Sequence, residues 1–167
     1  MNLFSLLLSL FLNFLIFFLS NAILNDLKHP NEWVRGCTLR FLCKLSEPEI
    51  LEPLVPAIKG NLEDRTPFVR RNAVLCVYSV YKSFPDLMPD APADVEAFLK
   101  AESDTSSRRN AFMMLFQVDL DRAVSFLVEN EEEAQKFGDS FQLVILELVR
   151  KVCRINPQRK SAFSMLV

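Results

Sequence analysis

Apolar residues recur every three or four positions along two segments of the chain, residues 69–84 and 141–152. This spacing is the period of an α-helix, so both segments are predicted to be amphipathic helices with one apolar face. A single helix cannot bury such a face, and neighbouring helices must therefore cover it. The apolar positions are Val69, Ala73, Cys76, Val77, Val80, Tyr81 and Phe84 in the first segment and Phe141, Val144, Ile145, Leu148, Val149 and Val152 in the second.

A short phrase of sequence occurs more than once. Val-Arg-Arg-Asn-Ala at residues 69–73 is echoed by Ser-Arg-Arg-Asn-Ala at residues 107–111, and residues 34–38 form a looser copy. The arginines that align are Arg35, Arg70 and Arg108, at intervals of 35 and 38 residues. A period of this length is typical of stacked helical units. An acidic residue and a proline precede the first two copies, as expected where a helix begins.

Helix breaks are predicted between these segments. Residues 46–49 match a capping box that opens a helix towards Leu62, although Pro53 and Pro56 are expected to kink it. The proline-rich stretch 85–92 is not expected to be regular helix, and residues 104–107 offer several oxygens that can cap the next helix. No segment alternates with a period of two. The sequence therefore predicts an all-α fold, an α-solenoid of about four HEAT/armadillo-like helical hairpins.

Charge and cysteine content narrow the possible functions. The net charge is −2, and no basic stripe indicates nucleic-acid binding. The four cysteines form no C-x-x-C pair and lie in apolar helical stretches, so they are predicted to be buried and reduced. These residues are Cys37, Cys43, Cys76 and Cys153.

Residues suited to catalysis are scarce. His29 is the single histidine and precedes a proline at a helix entry, which favours a turn or capping role over general-base chemistry. Metal ligation needs a cluster of ligands, and phosphate binding of the common kinds needs a glycine-rich loop; the sequence has neither pattern. We therefore predict no catalytic, cofactor-binding or metal-binding residues, and no enzymatic activity.

Residues 1–20 differ from the rest of the chain. They consist of Leu, Phe, Ser, Asn and Ile after the initiator methionine, without a charge. Such a run is long enough to cross a bilayer, and Ser20-Asn21-Ala22 resembles a signal cleavage site, but a positive flank is missing. Translation of a pyrimidine-rich intron end is a further interpretation. The predicted organisation is an apolar leader, residues 1–20, and a helical-repeat region, residues 21–167, truncated at both ends.

The repeated arginines are the candidate partner-binding residues. Two pairs occur, Arg70–Arg71 and Arg108–Arg109, and one arginine of each is predicted to bridge to an acidic residue of a neighbouring repeat, such as Asp64. The functional interpretation is that the other arginine of each pair faces outward and meets an acidic partner or a phospholipid surface, for which the guanidinium group is well suited. Trp33 either packs on a preceding repeat or lies exposed. The candidates are Arg35, Arg70, Arg71, Arg108 and Arg109.

A resemblance to a known family rests on several longer stretches. Residues 25–32, 38–45, 51–54, 89–92 and 108–115 resemble the adaptin-type N-terminal trunk of coatomer β subunits. The resemblance extends from about residue 21 to about residue 163. It implies an α-solenoid of HEAT-like repeats.

The resemblance also implies a function and partners. These would be a structural role in the COPI coat, contacts with the δ, γ and ζ subunits, and recruitment by a GTP-bound Arf-family GTPase during Golgi-to-ER and intra-Golgi transport. The implied locations are the cytoplasm, the Golgi membrane and the COPI vesicle membrane, with peripheral attachment. Two alternatives remain: a membrane-anchored or secreted helical-repeat protein derived from the coat subunit, and a generic HEAT scaffold of another pathway such as nuclear transport.

Overall fold

The computed structural model describes residues 3–130 and 138–155, and every regular element in these two ranges is a helix. This confirms the prediction of an all-α fold. The chain divides into two compact units, residues 1–91 and 92–167. In the first unit the α-helices are α1 (Leu3–Leu27), α2 (Glu32–Leu42), α3 (Pro48–Leu51), α4 (Val55–Gly60) and α5 (Pro67–Ser83). They are followed by α6 (Ala91–Ala101), α7 (Thr105–Val118), α8 (Leu120–Glu129) and α9 (Asp139–Ile155).

The repeated arginines occupy the same position in three helices. Arg35, Arg70 and Arg108 are each the fourth residue of their helix, counted from the first residues of α2, α5 and α7. The phrase seen in the sequence therefore marks helix starts. The predicted cap before α7 is confirmed, because the Asp104 carboxylate accepts a hydrogen bond from the Ser107 N–H at 2.8 Å.

Helices α2 and α5 lie side by side and run parallel. Near their N-termini the ring of Phe68 covers Gly36, and near their C-termini the Ser79 hydroxyl donates to the Cys43 carbonyl at 2.8 Å. Leu39 on α2 is fully buried. Parallel neighbours one repeat apart are the arrangement expected of equivalent helices in a solenoid.

The last turns of α1 complete the first repeat. Ile23 and Leu27 are buried, and the Leu27 carbonyl accepts a hydrogen bond from the Asn61 side chain at 3.3 Å. The helix runs without interruption through residue 20, where the sequence analysis separates the leader from the repeat region. Its C-terminal turns thus belong to the packed unit, while its side chains from residue 5 to residue 19 are exposed or half-exposed.

Prolines divide the chain between α2 and α5, as predicted. Pro53 lies in a 3₁₀ turn, Glu52–Leu54, that separates α3 from α4, and a second 3₁₀ turn, Asn61–Glu63, follows α4. The predicted capping box is wrong. Glu47 occupies the N-cap without a side-chain capping bond, and its carboxylate accepts from the Ser46 N–H instead. Because Pro48 is the first helical residue and lacks an N–H, the helix start has fewer donors to cap.

Two further predictions need correction. Cys37 is exposed, whereas Cys76 is completely buried, so burial does not hold for all four cysteines. Cys37 lies on the solvent side of α2. The predicted break at 85–92 is shorter, because α6 begins at Ala91 and accommodates Pro92 in its first turn.

The core of the second unit forms around Phe112 of α7. Its ring centroid lies 6.1 Å from that of Phe126 on α8 and 5.2 Å from that of Phe141 on α9. The apolar face predicted for α9 is confirmed, with its central positions buried and Val144 and Val149 half-buried. The buried positions are Phe141, Ile145, Leu148 and Val152.

Candidate interaction surface

An ion pair fastens α2 to the turn that precedes α5. The Arg35 Nε donates to Oδ2 of Asp64 at 2.8 Å, and its Nη2 donates to Oδ1 at 3.1 Å. The two side chains are only 9% and 11% exposed. A bidentate arginine–carboxylate pair shielded from water fixes the geometry of its two elements as well as their separation. The sequence predicts a bridge to an acidic residue such as Asp64 from one arginine of a pair, whereas the structure forms the Asp64 bridge with Arg35, which belongs to no pair.

The same arginine position also binds the turn that leads into its own helix. The Arg35 Nη1 donates to the carbonyls of residues 29 and 30 at 2.7 and 3.1 Å. The Arg70 Nη1 donates to the carbonyls of residues 64 and 65 at 2.8 and 3.1 Å. In both repeats the acceptors lie six and five residues before the arginine. These backbone carbonyls belong to the turn before the helix and not to the hydrogen bonds of the helix itself. By donating to them, the arginine holds the turn between two repeats against the start of the helix.

The turns before α2 and α5 contain matching hydrogen bonds. The Asp64 Oδ1 accepts from the Thr66 N–H at 2.8 Å, and the His29 Nδ1 accepts from the Asn31 N–H at 3.0 Å. The turn role predicted for His29 is confirmed. His29 therefore holds the place in the first repeat that Asp64 holds in the second.

The Arg35–Asp64 ion pair lowers the pKa of the Asp64 carboxyl group. Burial raises the pKa of Asp64, but hydrogen bonds from Arg35 and Thr66 outweigh it, so the pKa lies below its ordinary value. A depressed carboxyl pKa stabilises the fold at pH values above the pKa of the unfolded chain, about 3.9, and that stabilisation is lost as the pH falls through the lower folded pKa.

We therefore expect the stability difference between the wild type and Asp64→Asn to be largest near neutral pH and to shrink as the pH falls below about 4. Urea unfolding followed by fluorescence at a series of pH values measures this difference. A constant difference from neutral pH to pH about 3 would show that Asp64 ionisation does not stabilise the fold.

The other candidate arginines lie on half-buried surface. The Arg71 guanidinium stands 5.3 Å from the centre of the Phe68 ring, a cation–π arrangement. Arg108 and Arg109 are half-buried in the first turns of α7. Binding of a partner by these arginines stays a prediction.

A groove of about 840 Å³ opens beside the first repeat. Its lining includes Lys28, Arg65 and the Arg35–Asp64 pair, and Pro53 and Pro56 are part of its apolar lining. Within residues 3–130 and 138–155, no group of three or more His, Cys, Asp or Glu side chains could hold a metal ion. The groove offers shape and charge for a contact with another molecule.

Two thiols meet between α2 and α5. The hydrogen bond with Cys76 lowers the pKa of Cys43, and the same contact together with burial raises the pKa of Cys76 well above its ordinary value. Sequence spacing gave no signal for this pair, because 33 positions separate the two residues. The contact contributes to the packing of the parallel helices.

The second unit has an exposed charge cluster. Glu96 of α6 pairs with Lys100 at 2.9 Å and with Arg122 of α8 at 2.6 Å, and these hydrogen bonds lower the pKa of Glu96. Asp119 caps α8, because its carboxylate accepts a hydrogen bond from the Arg122 N–H at 3.1 Å. Because exposed ion pairs contribute little to stability, this cluster is expected to contribute less to the free energy of unfolding than the shielded Arg35–Asp64 pair.

Comparison with known proteins agrees with the helical-repeat architecture. The model of the adaptin N-terminal region matches residues 14–166, and the chain belongs to this family. Its sequence is 54% identical over 143 residues to coatomer subunit beta of Rattus norvegicus and 52% identical over 143 residues to that of Dictyostelium discoideum. It is 47% identical over 145 residues to coatomer subunit beta-1 of Arabidopsis thaliana.

These alignments confirm the resemblance drawn from the sequence. Each covers 86% of this chain, and the chain spans only 15–16% of the length of these relatives. The similarity is therefore to one stretch of much longer coat subunits.

Proposed function

We propose that this chain serves as a structural segment of the COPI coat, acting through protein–protein contacts and without enzymatic activity. The observation that supports it most strongly is the identity of about half of the aligned residues with coatomer subunit beta from a mammal, an amoeba and a plant. Arg35 and Arg70 make contacts within the chain, and the apolar helix faces are buried. Both features are compatible with a structural scaffold that binds other proteins through its outer surface.

The partners in this proposal are the δ, γ and ζ coat subunits and a GTP-bound Arf-family GTPase. The chain would then lie in the cytoplasm and associate peripherally with Golgi and COPI vesicle membranes during Golgi-to-ER and intra-Golgi transport. Among the candidate arginines, Arg71 and Arg109 are proposed to contact partners, while Arg35 and Arg70 hold the repeats together.

Affinity capture from cells tests this proposal. The full chain with a C-terminal tag is expected to enrich the δ, γ and ζ subunits, and more of the Arf-family GTPase when a non-hydrolysable GTP analogue is present. An Arg71→Glu and Arg109→Glu variant is expected to recover less of the same subunits, and a Lys82→Glu variant serves as the control. Recovery of no coat subunit by a folded chain would contradict the proposal.

A membrane-associated role is a second candidate, favoured by α1. Residues 5–27 form a helix long and apolar enough to cross a membrane. However, Ser20, Ile23 and Leu27 are buried within the first unit, so the stretch of α1 that can reach lipid while that unit stays folded ends near residue 19. From Leu3 to Leu19 the helix extends about 25 Å, compared with the roughly 30 Å of a bilayer core. The membrane contact proposed for α1 is therefore made by this N-terminal stretch.

Flotation with neutral phosphatidylcholine vesicles measures this association. We expect the full chain to float with the vesicles, and the variant Phe11→Glu, Phe14→Glu, Phe18→Glu to remain in the dense fraction, because charged side chains are costly in hydrocarbon. The exposed residue Leu143 of α9 gives a control, Leu143→Glu, that should float like the wild type. Equal flotation of the triple variant would exclude this role for α1.

A further inference from the structure

Two cysteines from different helices of the first unit face each other. Cys43 is the C-cap residue of α2, and Cys76 lies in the middle of α5. The Cys43 thiol donates to the Leu39 carbonyl at 3.3 Å, one turn earlier on its own helix, and its sulfur shares a hydrogen bond with the Cys76 thiol. The pair thus joins the equivalent helices of two consecutive repeats.

The backbones of α2 and α5 come close together at this pair. The Ser79 hydroxyl donates to the Cys43 carbonyl at 2.8 Å, and a serine side chain places its oxygen only two bonds from the Cα atom. Cys76 precedes Ser79 by three positions and therefore lies on the same face of α5. Disulfide bonds need Cα atoms within about 7 Å of each other, so the close approach of these backbones suits such a bond.

The two thiols differ in their access to solvent. Cys43 is half-buried, so a small solute can reach its sulfur, whereas Cys76 is completely buried. The hydrogen bond from Cys76 lowers the pKa of Cys43 more than burial raises it, and the thiolate is the form that reacts with oxidants. An oxidant therefore meets Cys43 first, with Cys76 directly behind it.

We propose that Cys43 and Cys76 are an oxidative modification site, at which hydrogen peroxide forms a disulfide that ties α2 to α5. The Cys43 thiolate attacks one peroxide oxygen, the O–O bond breaks, and hydroxide leaves and is protonated to water, which gives a sulfenic acid. The Cys76 sulfur then attacks the Cys43 sulfur, the S–O bond breaks, and the hydroxide leaves as water with the Cys76 thiol proton. Two thiols and one peroxide thus yield one disulfide and two waters.

The bond acts on the contact between neighbouring repeats. Because α2 and α5 are parallel and equivalent, a covalent link between them prevents the two repeats from separating or sliding at this end. In a reducing compartment such a link is transient, as is typical of redox-sensing cysteines. The inference rests on contacts within the first unit and does not depend on membership of the COPI coat.

Peptide mapping of the full chain after treatment with hydrogen peroxide tests the proposal. Remaining thiols are blocked with N-ethylmaleimide before digestion, and mass spectrometry is expected to find a peptide pair that joins Cys43 to Cys76 and that dithiothreitol separates. The Cys37→Ser variant lacks the exposed thiol of α2 and is the matched control, which should form the same bridge.

The Cys76→Ser variant isolates the first step of the reaction. Serine keeps a hydrogen-bond donor at this position but cannot form the bridge, so oxidation of Cys43 should stop at the sulfenic acid. Dimedone, which traps sulfenic acids, is expected to label Cys43 several-fold more in this variant than in the wild type. Circular dichroism verifies that each variant is folded.

Urea unfolding followed by Trp33 fluorescence measures the effect of the bond on the first unit. The midpoint of the oxidised wild type is expected to lie about 1 M or more above that of the reduced chain, because the bond restricts the unfolded state. Peroxide treatment of the Cys76→Ser variant should not raise its midpoint.

Four results would overturn the proposal. They are absence of the bridge in a folded chain whose Cys37 has been oxidised, a bridge that forms only after unfolding in urea, equal dimedone labelling of Cys43 in the wild type and the Cys76→Ser variant, and a lower urea midpoint for the oxidised wild type than for the reduced chain.

Discussion

Replacing Arg35 with alanine is expected to lower the free energy of unfolding of the first unit by about 3–5 kcal/mol. The substitution leaves the shielded carboxylate of Asp64 without its bidentate partner and removes the donor to the carbonyls of residues 29 and 30. Urea denaturation followed by the fluorescence of Trp33, the single tryptophan of the chain, reports on this unit.

Arg122→Ala is the matched control for this prediction, and its unfolding is followed by circular dichroism because Arg122 lies in the second unit, on which Trp33 does not report. Arg122 also pairs with carboxylates near a helix start, but its side chain is 43% exposed, so its removal should change stability far less. Arg35→Lys keeps the charge but lacks the planar fork, and an intermediate loss is expected. Equal effects of Arg35→Ala and Arg122→Ala would contradict the role given to the Arg35–Asp64 pair.

Gly36→Ala is expected to destabilise the first unit by about 1–3 kcal/mol, although alanine is the better helix former. A Cβ atom at Gly36 would overlap the ring of Phe68, which is also held by Trp33 at a centroid distance of 4.6 Å. The ring would have to move, and the contact between α2 and α5 would open. The same urea titration measures the change.

Gly60 provides the control, because a Cβ there meets no atom within 4 Å. Gly60→Ala should be neutral or stabilising by up to about 1 kcal/mol. Phe68→Ala removes the overlapping ring, so adding Gly36→Ala to it should cost much less than in the wild type, a coupling that a double-mutant cycle quantifies. Additive effects of the two substitutions would show that the overlap is not the cause.

The helical architecture could be predicted because several local signals agree. The recurring arginine and the acidic residue and proline before it indicate helix starts, and α2 and α5 begin where these signals coincide. Helix α7 begins at the third arginine of the series, where capping oxygens rather than a proline mark the start. The cap at Asp104 followed from side-chain chemistry alone. Each of these features depends on residues close together in sequence.

The features that sequence missed depend on residues far apart. The contact of Cys43 with Cys76 and the ring of Phe68 over Gly36 require knowledge of which helices are neighbours. Exposure of Cys37 was missed for the same reason, since the sequence does not reveal which side of α2 is covered by other helices. The continuity of α1 across residue 20 was not visible in composition, which changes at that point.

The candidate site was predicted in part. Asp64 was predicted as an acceptor, but the bridge was assigned to one arginine of a pair and the donor is Arg35. The binding of turn carbonyls by Arg35 and Arg70 depends on how the turn folds back onto the helix and was not predicted. The correspondence of His29 with Asp64 appears only when the two turns are compared, because the residue types differ while their hydrogen bonds match.

Direct binding to a coat subunit tests the central claim most directly. The purified full chain would be mixed with recombinant δ subunit of the COPI coat and analysed by size-exclusion chromatography with light scattering. The account predicts co-elution of the two proteins at the mass of a complex. Separate elution of a chain that is folded by circular dichroism would contradict its assignment to the coat.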